Sequence, residues 1–160
     1  MNELAGIAEQ VAAKLIARKQ TIAVAESSTG GLISASLLAV PGASAYFLGG
    51  AVVYTRDARR VLMDISDDGM KGFRSASEPY AKLLAERMRS RFGCDWGLSE
   101  TGASGPTGNR YGDAAGHSCM AVAGPAAEVM TLETGSNDRF SNMQTFAATA
   151  LKLLLKNLEL

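Results

Sequence analysis

The sequence predicts an α/β protein, a three-layer α/β/α sandwich around a mixed, mostly parallel sheet. Three observations favour this fold class. Amphipathic helical segments alternate with short apolar segments of strand length along the 160 residues. The first apolar segment, TIAVAES, has almost no polar residues, which is typical of a strand covered on both faces. Two later strand segments follow each other directly, which predicts a hairpin and therefore a mixed sheet.

The first half of the chain predicts three helices and two strands. Apolar residues recur at three- and four-residue steps in the first segment, which predicts an amphipathic helix. Pro41-Gly42 is a turn-forming pair that should end the second helix. Gly49-Gly50 interrupts or precedes the second strand. The predicted ranges are 2–18 (helix), 21–27 (strand), 32–40 (helix), 45–54 (strand) and 55–65 (helix).

The second half predicts two helices and three strands. Ser77 is suited to cap a helix, and Pro79 fits the first turn of that helix. A glycine-rich loop follows the third strand, and a Gly-Pro connection joins the last two strands. The predicted ranges are 77–91 (helix), 95–101 (strand), 117–125 and 126–134 (strands), and 138–158 (helix). We find no internal repeat or linker, which predicts a single domain over residues 1–160.

The charge balance argues against several classes of partner. Lys+Arg and Asp+Glu number 16 each, so the net charge is zero and we expect no direct binding to nucleic acid. No segment approaches the roughly 18 consecutive apolar residues of a membrane span. The N-terminus lacks the pattern of a signal peptide. Cys94 and Cys119 lack the spacing of metal ligands, so we expect no metal site. These observations together favour a reduced, cytoplasmic protein.

Three polar segments follow predicted strands, at 26–31, 54–59 and 101–106. Ligands of open α/β sheets bind outside the carboxyl ends of the strands, so we expect these segments to meet around a pocket. In the first segment, Thr29-Gly30-Gly31 opens a helix. Its amides could hold an anion, or an oxyanion on a substrate attacked by a neighbouring serine. Simple helix capping is the alternative, and the pattern alone does not exclude it.

The glycine-rich loop at 102–112 could wrap a phosphate with its backbone amides. It lacks the Gly-Lys-Ser/Thr ending of a P-loop, so a plain connection between strands is the alternative. Its polar length nevertheless favours a function. Among single residues, His117 is expected to be a packed or capping residue and Trp96 a core residue. Tyr54 fits a site or a packing role equally well.

The stretches AESSTGG, VPGASAYFLGGAVVYTRDAR, SEP, TGASGPTG and NDR occur in this order over nearly the whole chain. Together they resemble the C-terminal domain of the CinA family (competence/damage-inducible proteins), which includes nicotinamide mononucleotide deamidases. The resemblance implies a three-layer α/β/α fold, usually in a homodimer. It also implies a serine hydrolase that converts nicotinamide mononucleotide and water to nicotinate mononucleotide and ammonia. It implies no metal or organic cofactor.

The resemblance also assigns roles to residues. Ser27 falls on the family nucleophile, and the family base is a lysine five residues after the tyrosine that corresponds to Tyr54. Such a lysine, desolvated in the site, can take the serine proton and pass it to the leaving ammonia. The loop at 101–108 would help to seat the nucleotide, and Arg139 would bind phosphate or form a structural ion pair. The ligand-binding residues implied in this way are Glu26, Ser28, Thr29, Gly30, Gly31, Thr101, Gly102, Gly105, Pro106 and Arg139.

The chain departs from the family pattern at the base. The residue five places after Tyr54 is Arg59. A guanidinium group keeps its proton at ordinary pH and cannot act as a general base, but its fork suits a phosphate or a carboxylate. A solvated or ion-paired helix residue is the alternative for Arg59. Ser28 stands where the family usually has a cysteine after the nucleophile. Met143 stands where the family has a second arginine in the last helix. These differences indicate a divergent branch of the family.

Three interpretations of function follow. The first is a nucleotide amidohydrolase that uses another base, with Asp57, Glu26, Glu100 and His117 as candidates. The second is a protein that binds a pyridine nucleotide or a related phosphorylated ligand without turning it over. The third is an interaction module connected with competence or DNA damage.

Overall fold

Five strands form the central sheet of the protein, in a computed structural model that describes residues 2–160. The strands are β1 (Ile22–Glu26), β2 (Phe47–Val52), β3 (Trp96–Ala103), β4 (His117–Ala123) and β5 (Glu128–Glu133). Their order across the sheet is β2-β1-β3-β4-β5. β1 pairs in parallel with β2 and β3, whereas β4 is antiparallel to both of its neighbours. Four strands therefore run in one direction, and the prediction of a mixed, mostly parallel sheet is confirmed.

Helices cover the sheet in two layers. They are α1 (Asn2–Arg18), α2 (Leu32–Leu38), α3 (Arg56–Met63), α4 (Glu78–Phe92) and α5 (Arg139–Leu158). The large side chains of α1, α2 and α5 pack with Ile22 and Val24 of β1 in one core cluster. The alternate residues of β1, Ala23 and Ala25, pack with α4 on the opposite face. Successive strand residues point to opposite faces, so both faces of β1 are buried and the three-layer fold is confirmed.

Hydroxyl side chains cap the starts of α3 and α4, and the predicted cap at Ser77 is confirmed. The Ser77 hydroxyl accepts a hydrogen bond from the Tyr80 amide at the start of α4, and Pro79 lies in the first turn of that helix. Thr55 caps α3 in the same way by accepting from the Ala58 amide. These caps satisfy amides that have no partner within the first helical turn.

Several predicted boundaries were wrong by a few residues. Residues 43–45 form a 3-10 turn, so β2 begins at Phe47 and not at residue 45. Gly49-Gly50 lies inside β2. A Cβ atom at Gly49 would stand 2.8 Å from the ring of Phe92, which explains the glycine at that position. A second 3-10 turn, at 68–70, was not predicted. The core position of Trp96 is confirmed, since this side chain is fully buried.

Two expectations about environment can be compared with the structure. Across residues 2–160, no helix combines the length and the hydropathy needed to cross a bilayer. Cys94 and Cys119 are both buried as free thiols.

We expect Gly97→Ala to lower the free energy of unfolding by about 1–3 kcal/mol, because overpacking forces neighbouring atoms apart. A Cβ atom at Gly97 would collide with the carbonyl oxygen of Ala85, where α4 packs closely on β3. Urea denaturation measures the change.

Gly6→Ala is the matched control for this substitution. Gly6 is exposed in α1 and has open space around the missing Cβ. Replacing a helical glycine by alanine should raise the free energy of unfolding by about 0.5–1 kcal/mol. Effects of the same sign at both positions would contradict the close packing of α4 on the sheet.

Candidate functional site

The carboxyl ends of β1, β2 and β3 open into a cleft with two adjoining lobes. The serine lobe has a volume of about 360 Å³ and the glycine lobe about 250 Å³. Tyr54, Gly102 and Asn109 line both lobes. Further residues of the serine lobe are Ser27, Val53, Thr55, Arg56, Arg59, Ser75, Ala76, Tyr80, Thr101, Arg110 and Tyr111. Further residues of the glycine lobe are Ser28, Ala103, Ser104, Gly105, Thr107, Gly108 and Arg139.

Glu26, the last residue of β1, is a buried helix cap and does not line either lobe. Its carboxylate accepts hydrogen bonds from the amides of Ile33 and Ser34 at 2.9 and 2.8 Å. It also accepts from the Gly31 amide at 3.2 Å and from the Thr29 hydroxyl at 2.7 Å. Negative charge at a helix N-terminus is stabilised by these free amides. The acid at the end of the strand therefore fixes the start of α2. Its predicted role as a ligand-binding residue or base stays a prediction, and the structure does not bring it into the cleft.

Glu100 of β3 is a second buried carboxylate, and it holds the turn at 27–29 in place. One oxygen accepts from the amides of Ser27 and Thr29 at 3.1 and 2.9 Å. The other accepts from the hydroxyls of Ser28 and Ser118 at 2.5 and 2.9 Å. Burial raises the pKa of Glu100, and the hydrogen bonds oppose this rise without cancelling it. The position of Ser27 thus depends on a carboxylate 73 residues away in the sequence.

The turn after β1 does not offer an anion site of its own. The amides of Thr29 and Gly31 donate to Glu100 and Glu26, and the Gly30 amide donates to the Ser27 carbonyl. The predicted binding of an anion or oxyanion by residues 29–31 stays a prediction, and a ligand would have to compete with internal acceptors for these amides. Gly30 and Gly31 have φ of 63° and 105°, a region that favours glycine for conformational reasons.

Ser27 lies at the edge of the serine lobe in a half-buried position. Its amide is bound to Glu100, which fixes its backbone. Its hydroxyl makes no hydrogen bond with any side chain or backbone group of the residues that the structure describes. The backbone of the serine is thus fixed at the lobe, and no base is hydrogen-bonded to its hydroxyl among these residues.

Arg59 reaches the same lobe from α3 and is only 9% exposed. One guanidinium nitrogen lies 3.4 Å from the Ser75 hydroxyl, and the group stands 5.6 Å from the centre of the Tyr80 ring. Its buried Nε has no hydrogen-bond partner within residues 2–160, and no carboxylate there pairs with it. Its burial argues against the alternative of a solvated residue, and the lack of a nearby carboxylate among residues 2–160 argues against that of an ion-paired one. A buried guanidinium without a carboxylate partner is costly, and an anionic ligand would supply the missing negative charge.

The remaining candidate bases are also engaged elsewhere. Asp57 is exposed and pairs with Arg60 at 3.1 Å. The two ring nitrogens of His117 contact Glu133 at 2.5 Å and the Ala76 carbonyl at 2.7 Å. Asp57 and His117 do not line the serine lobe. Glu26 and Glu100 are fully buried and do not line it either.

The loop at 104–116 brings residues to the cleft that the sequence analysis missed. Arg110 donates to the hydroxyl of Tyr111 at 3.1 Å, and this bond is the main reason why the pKa of Tyr111 is lowered. The guanidinium of Arg74 lies 5.3 Å from the centre of the same ring. The sequence NRYGD, with an aromatic residue beside an arginine inside a glycine-rich loop, was the available signal.

Asp113 anchors this loop. It accepts from Arg74 at 2.7 Å and from the Asn109 amide at 2.8 Å, and its carboxylate lies 3.6 Å from His117. Burial raises the pKa of Asp113, but these partners outweigh burial and the pKa is lowered. The loop therefore has a fixed conformation in which Asn109 lines both lobes.

Arg139 lies at the other end of the cleft, in the first turn of α5. It donates to the Gly105 carbonyl, and its second nitrogen lies 3.2 Å from the Tyr54 hydroxyl. Thr101 lines the serine lobe and accepts a hydrogen bond from the Ala76 amide at 3.0 Å. Pro106 follows a cis peptide bond, is exposed and does not line either lobe. Most predicted site residues thus surround one cleft, although their roles remain predictions.

The described residues hold no group of three or more His, Cys, Asp or Glu side chains that could bind a metal ion. An α/β/α sandwich with a polar cleft at the carboxyl ends of its parallel strands is a common ligand-binding class.

Comparison with known proteins defines the family. A family model of the CinA C-terminal domain matches residues 4–158. The CinA-like protein of Chlorobium limicola is 36% identical over 149 residues, which cover 90% of this chain and 35% of that protein. The CinA-like protein of Desulforapulum autotrophicum is 34% identical over 151 residues, or 94% of this chain and 36% of that protein. The chain belongs to the CinA family and spans about a third of the length of these relatives.

Solved structures agree with this assignment. A competence-damaged protein (CinA) superfamily protein from Klebsiella pneumoniae has a TM-score of 0.90 and 24% identity, with 98% of each chain covered, and shows the same fold. A CinA superfamily protein from Enterobacter cloacae has a TM-score of 0.88 and 26% identity, with 97% of this chain and 92% of that chain covered.

We expect Glu100→Gln to lower the free energy of unfolding by about 2–3 kcal/mol, because the new amide group would face donors that lose their acceptor. Urea denaturation at neutral pH measures the loss. Glu86→Gln is the control, since Glu86 is exposed on α4 and has only a 3.9 Å contact with Lys82. Equal losses for the two variants would contradict the role of Glu100 in holding the turn.

His117 should make stability depend on pH. Burial lowers its pKa, but Glu133, the Ala76 carbonyl and Asp113 outweigh burial, so the pKa lies above the ordinary 6.5. The contribution of the protonated ring is complete below the unfolded pKa and is lost as the pH rises through the raised folded pKa. We expect the stability difference between the protein and His117→Gln to shrink as the pH rises from the ordinary value of 6.5 through the raised folded pKa of His117.

Denaturation curves of both proteins across this range check the pH dependence of His117. Of the charged groups that face His117, Asp113 has a lowered pKa and Arg74 a raised pKa, so both keep their charges across this range. Burial raises the pKa of the Cys119 thiol, whose titration is common to both proteins. A stability difference that stays constant with pH would show that His117 has the same pKa in the folded and the unfolded protein, and would contradict the raised pKa.

Proposed function

We propose that the cleft binds a phosphorylated pyridine nucleotide, with nicotinamide mononucleotide as the representative suggested by the family resemblance. The observation that carries this proposal is the buried guanidinium of Arg59, which lines the serine lobe and has no carboxylate partner among residues 2–160. Such a group suits an anionic ligand, because an arginine fork can form charge-assisted hydrogen bonds to carboxylate or phosphate oxygens.

The shape and lining of the cleft support a nucleotide. The serine lobe, at about 360 Å³, is within the usual size of small-molecule pockets of roughly 300–1,000 Å³. Tyr54, Tyr80 and Tyr111 line it, and aromatic rings of this kind can pack against a flat heterocycle. The backbone of the glycine lobe lies beside Arg139, a combination suited to a phosphate.

Binding is favoured over turnover by the surroundings of Ser27. A serine nucleophile needs a neighbouring base, and the family lysine is Arg59 here. Glu26 and Glu100 accept several hydrogen bonds inside the fold, while Asp57 and His117 contact other partners. We therefore infer a cleft that holds its ligand and hydrolyses it slowly or not at all.

Hydrolysis of nicotinamide mononucleotide to nicotinate mononucleotide and ammonia is the second candidate, and the position of Tyr111 favours it. Tyr111 shares the serine lobe with Ser27, and its hydrogen bond from Arg110 stabilises the phenolate form. The phenolate would accept the Ser27 proton as the serine oxygen attacks the amide carbon. The phenol would then return the proton to the departing ammonia, and water would cleave the resulting ester.

The assembly and setting of the domain are also proposals. A homodimer is suggested by the family resemblance. A role connected with competence or damage is suggested by the names of structural relatives, such as the competence/damage inducible protein of Agrobacterium tumefaciens.

We expect nicotinamide mononucleotide to raise the melting temperature of the purified protein, with little or no release of ammonia. Any trace rate should be the same in Ser27→Ala, because the serine lacks a base. Arg59→Lys restores the family base and should gain ammonia release. Arg60→Lys is the matched control on the exposed side of α3 and should remain silent.

The outcomes separate the two candidates. Ammonia release by the unmodified protein that is lost in both Ser27→Ala and Tyr111→Phe would establish the hydrolase. The absence of a thermal shift and of binding by calorimetry for nicotinamide and nicotinate mononucleotides would contradict the proposed nucleotide site.

A further inference from the structure

We infer that the cleft selects a ligand with two separate anionic groups: a carboxylate bound by Arg59 beside Ser27, and a phosphate bound in the glycine lobe by Arg139. This inference rests on the proposed function and adds a specificity to it. The acid form of a phosphorylated nucleotide should bind in preference to the corresponding amide, which reverses the expectation for an amide-cleaving enzyme.

The charge of the cleft supports a doubly anionic ligand. The protein has no net charge, yet Arg56, Arg59, Arg110 and Arg139 line the two lobes. No Asp or Glu is among the lining residues in the described part of the chain. Only Arg56 has a carboxylate nearby, at 3.8 Å in an exposed ion pair. A single negative charge would leave most of this positive potential uncompensated.

The serine lobe suits a carboxylate better than a carboxamide. The guanidinium of Arg59 is buried and can only donate hydrogen bonds. A carboxylate presents two acceptor oxygens to this fork, whereas a carboxamide presents one oxygen and one NH₂ group. The NH₂ group would face a donor in a buried site, and an unsatisfied polar group of this kind weakens binding. Arg59 therefore discriminates between the two forms of the same ligand.

The glycine lobe suits a phosphate. Arg139 is held by the Gly105 carbonyl and the Tyr54 hydroxyl and has no carboxylate partner among residues 2–160. The amides of Gly105, Thr107 and Gly108 donate to no acceptor within the same residues. Backbone amides in a glycine-rich loop, beside an arginine, are a recurrent combination around phosphate groups.

The two anion sites belong to one ligand because the lobes adjoin. Tyr54, Gly102 and Asn109 contribute to the lining of both. Arg59 and Arg139 each line a different lobe. The cleft thus fits an elongated molecule with an aromatic acid at one end and a phosphate at the other.

Isothermal titration calorimetry in a low-salt, phosphate-free buffer tests this inference with three probes: nicotinate mononucleotide, nicotinamide mononucleotide and nicotinate riboside. We expect nicotinate mononucleotide to bind about tenfold more tightly than the amide, as the gain from one charged hydrogen-bonded pair implies. The riboside, which lacks the phosphate, should bind more weakly than nicotinate mononucleotide.

Variants assign the preference to the named groups. Arg59→Gln should bring the acid-to-amide ratio close to one, and Arg59→Lys, which keeps the charge without the fork, should leave an intermediate ratio. Arg60→Gln, on the exposed side of α3, should keep the ratio of the unmodified protein. Arg139→Gln should weaken binding of both nucleotides by a similar factor and leave the riboside unchanged.

The possible failures are distinct. Binding of the amide as tight as or tighter than binding of the acid would overturn the inference and leave the proposed nucleotide site intact. An unchanged ratio in a folded Arg59→Gln would also overturn it. Absence of binding for all three probes would overturn the nucleotide site itself and the inference with it.

Discussion

The carboxylate of Glu100 connects the parts of the protein that form the cleft. It lies in β3, receives the amides of Ser27 and Thr29 from the turn after β1, and receives the Ser118 hydroxyl from β4. A buried carboxylate is tolerated only when donors surround it. The fold meets this requirement by wrapping the turn around Glu100, and the direction of Ser27 into the serine lobe follows from that arrangement. Glu26 does the same for the first turn of α2.

The architecture was predictable because local patterns and tertiary packing agree in this chain. The alternation of large and small residues in β1 reflects two different neighbours, the thick layer of α1, α2 and α5 and the close approach of α4. The predicted cap at Ser77 marked the start of α4 correctly. The short 3-10 turns escaped prediction because their few hydrogen bonds have no distinct sequence pattern.

The site was predictable to the extent that strand ends determine it. Ser27 and Tyr54 follow parallel strands, and both reach the serine lobe. Arg59 of α3 and Thr101, near the carboxyl end of β3, reach the same lobe. The roles of Glu26, Thr29 and Gly31 were not predictable, since a helix cap and an anion site call for the same residue types. Tyr80 and Tyr111 line the cleft because the tertiary fold places them there. The loop that carries Tyr111 is held by contacts between residues far apart in the sequence, such as that of Arg74 with Asp113, and a single sequence does not reveal such contacts. The burial of Arg59 likewise became visible only in three dimensions.

A cleft lined by arginines and free of carboxylates also affects how the protein meets its surroundings before any ligand arrives. Small anions of the medium will concentrate there, because the local electrostatic potential is positive. Dissolved salt screens this potential over about 10 Å at ordinary ionic strength, so the effect is confined to the cleft and its rim. Chloride and inorganic phosphate therefore compete with the ligand for the cleft. The apparent affinity of the cleft becomes a property of the ionic medium as well as of the protein, and a phosphate buffer would mask much of it.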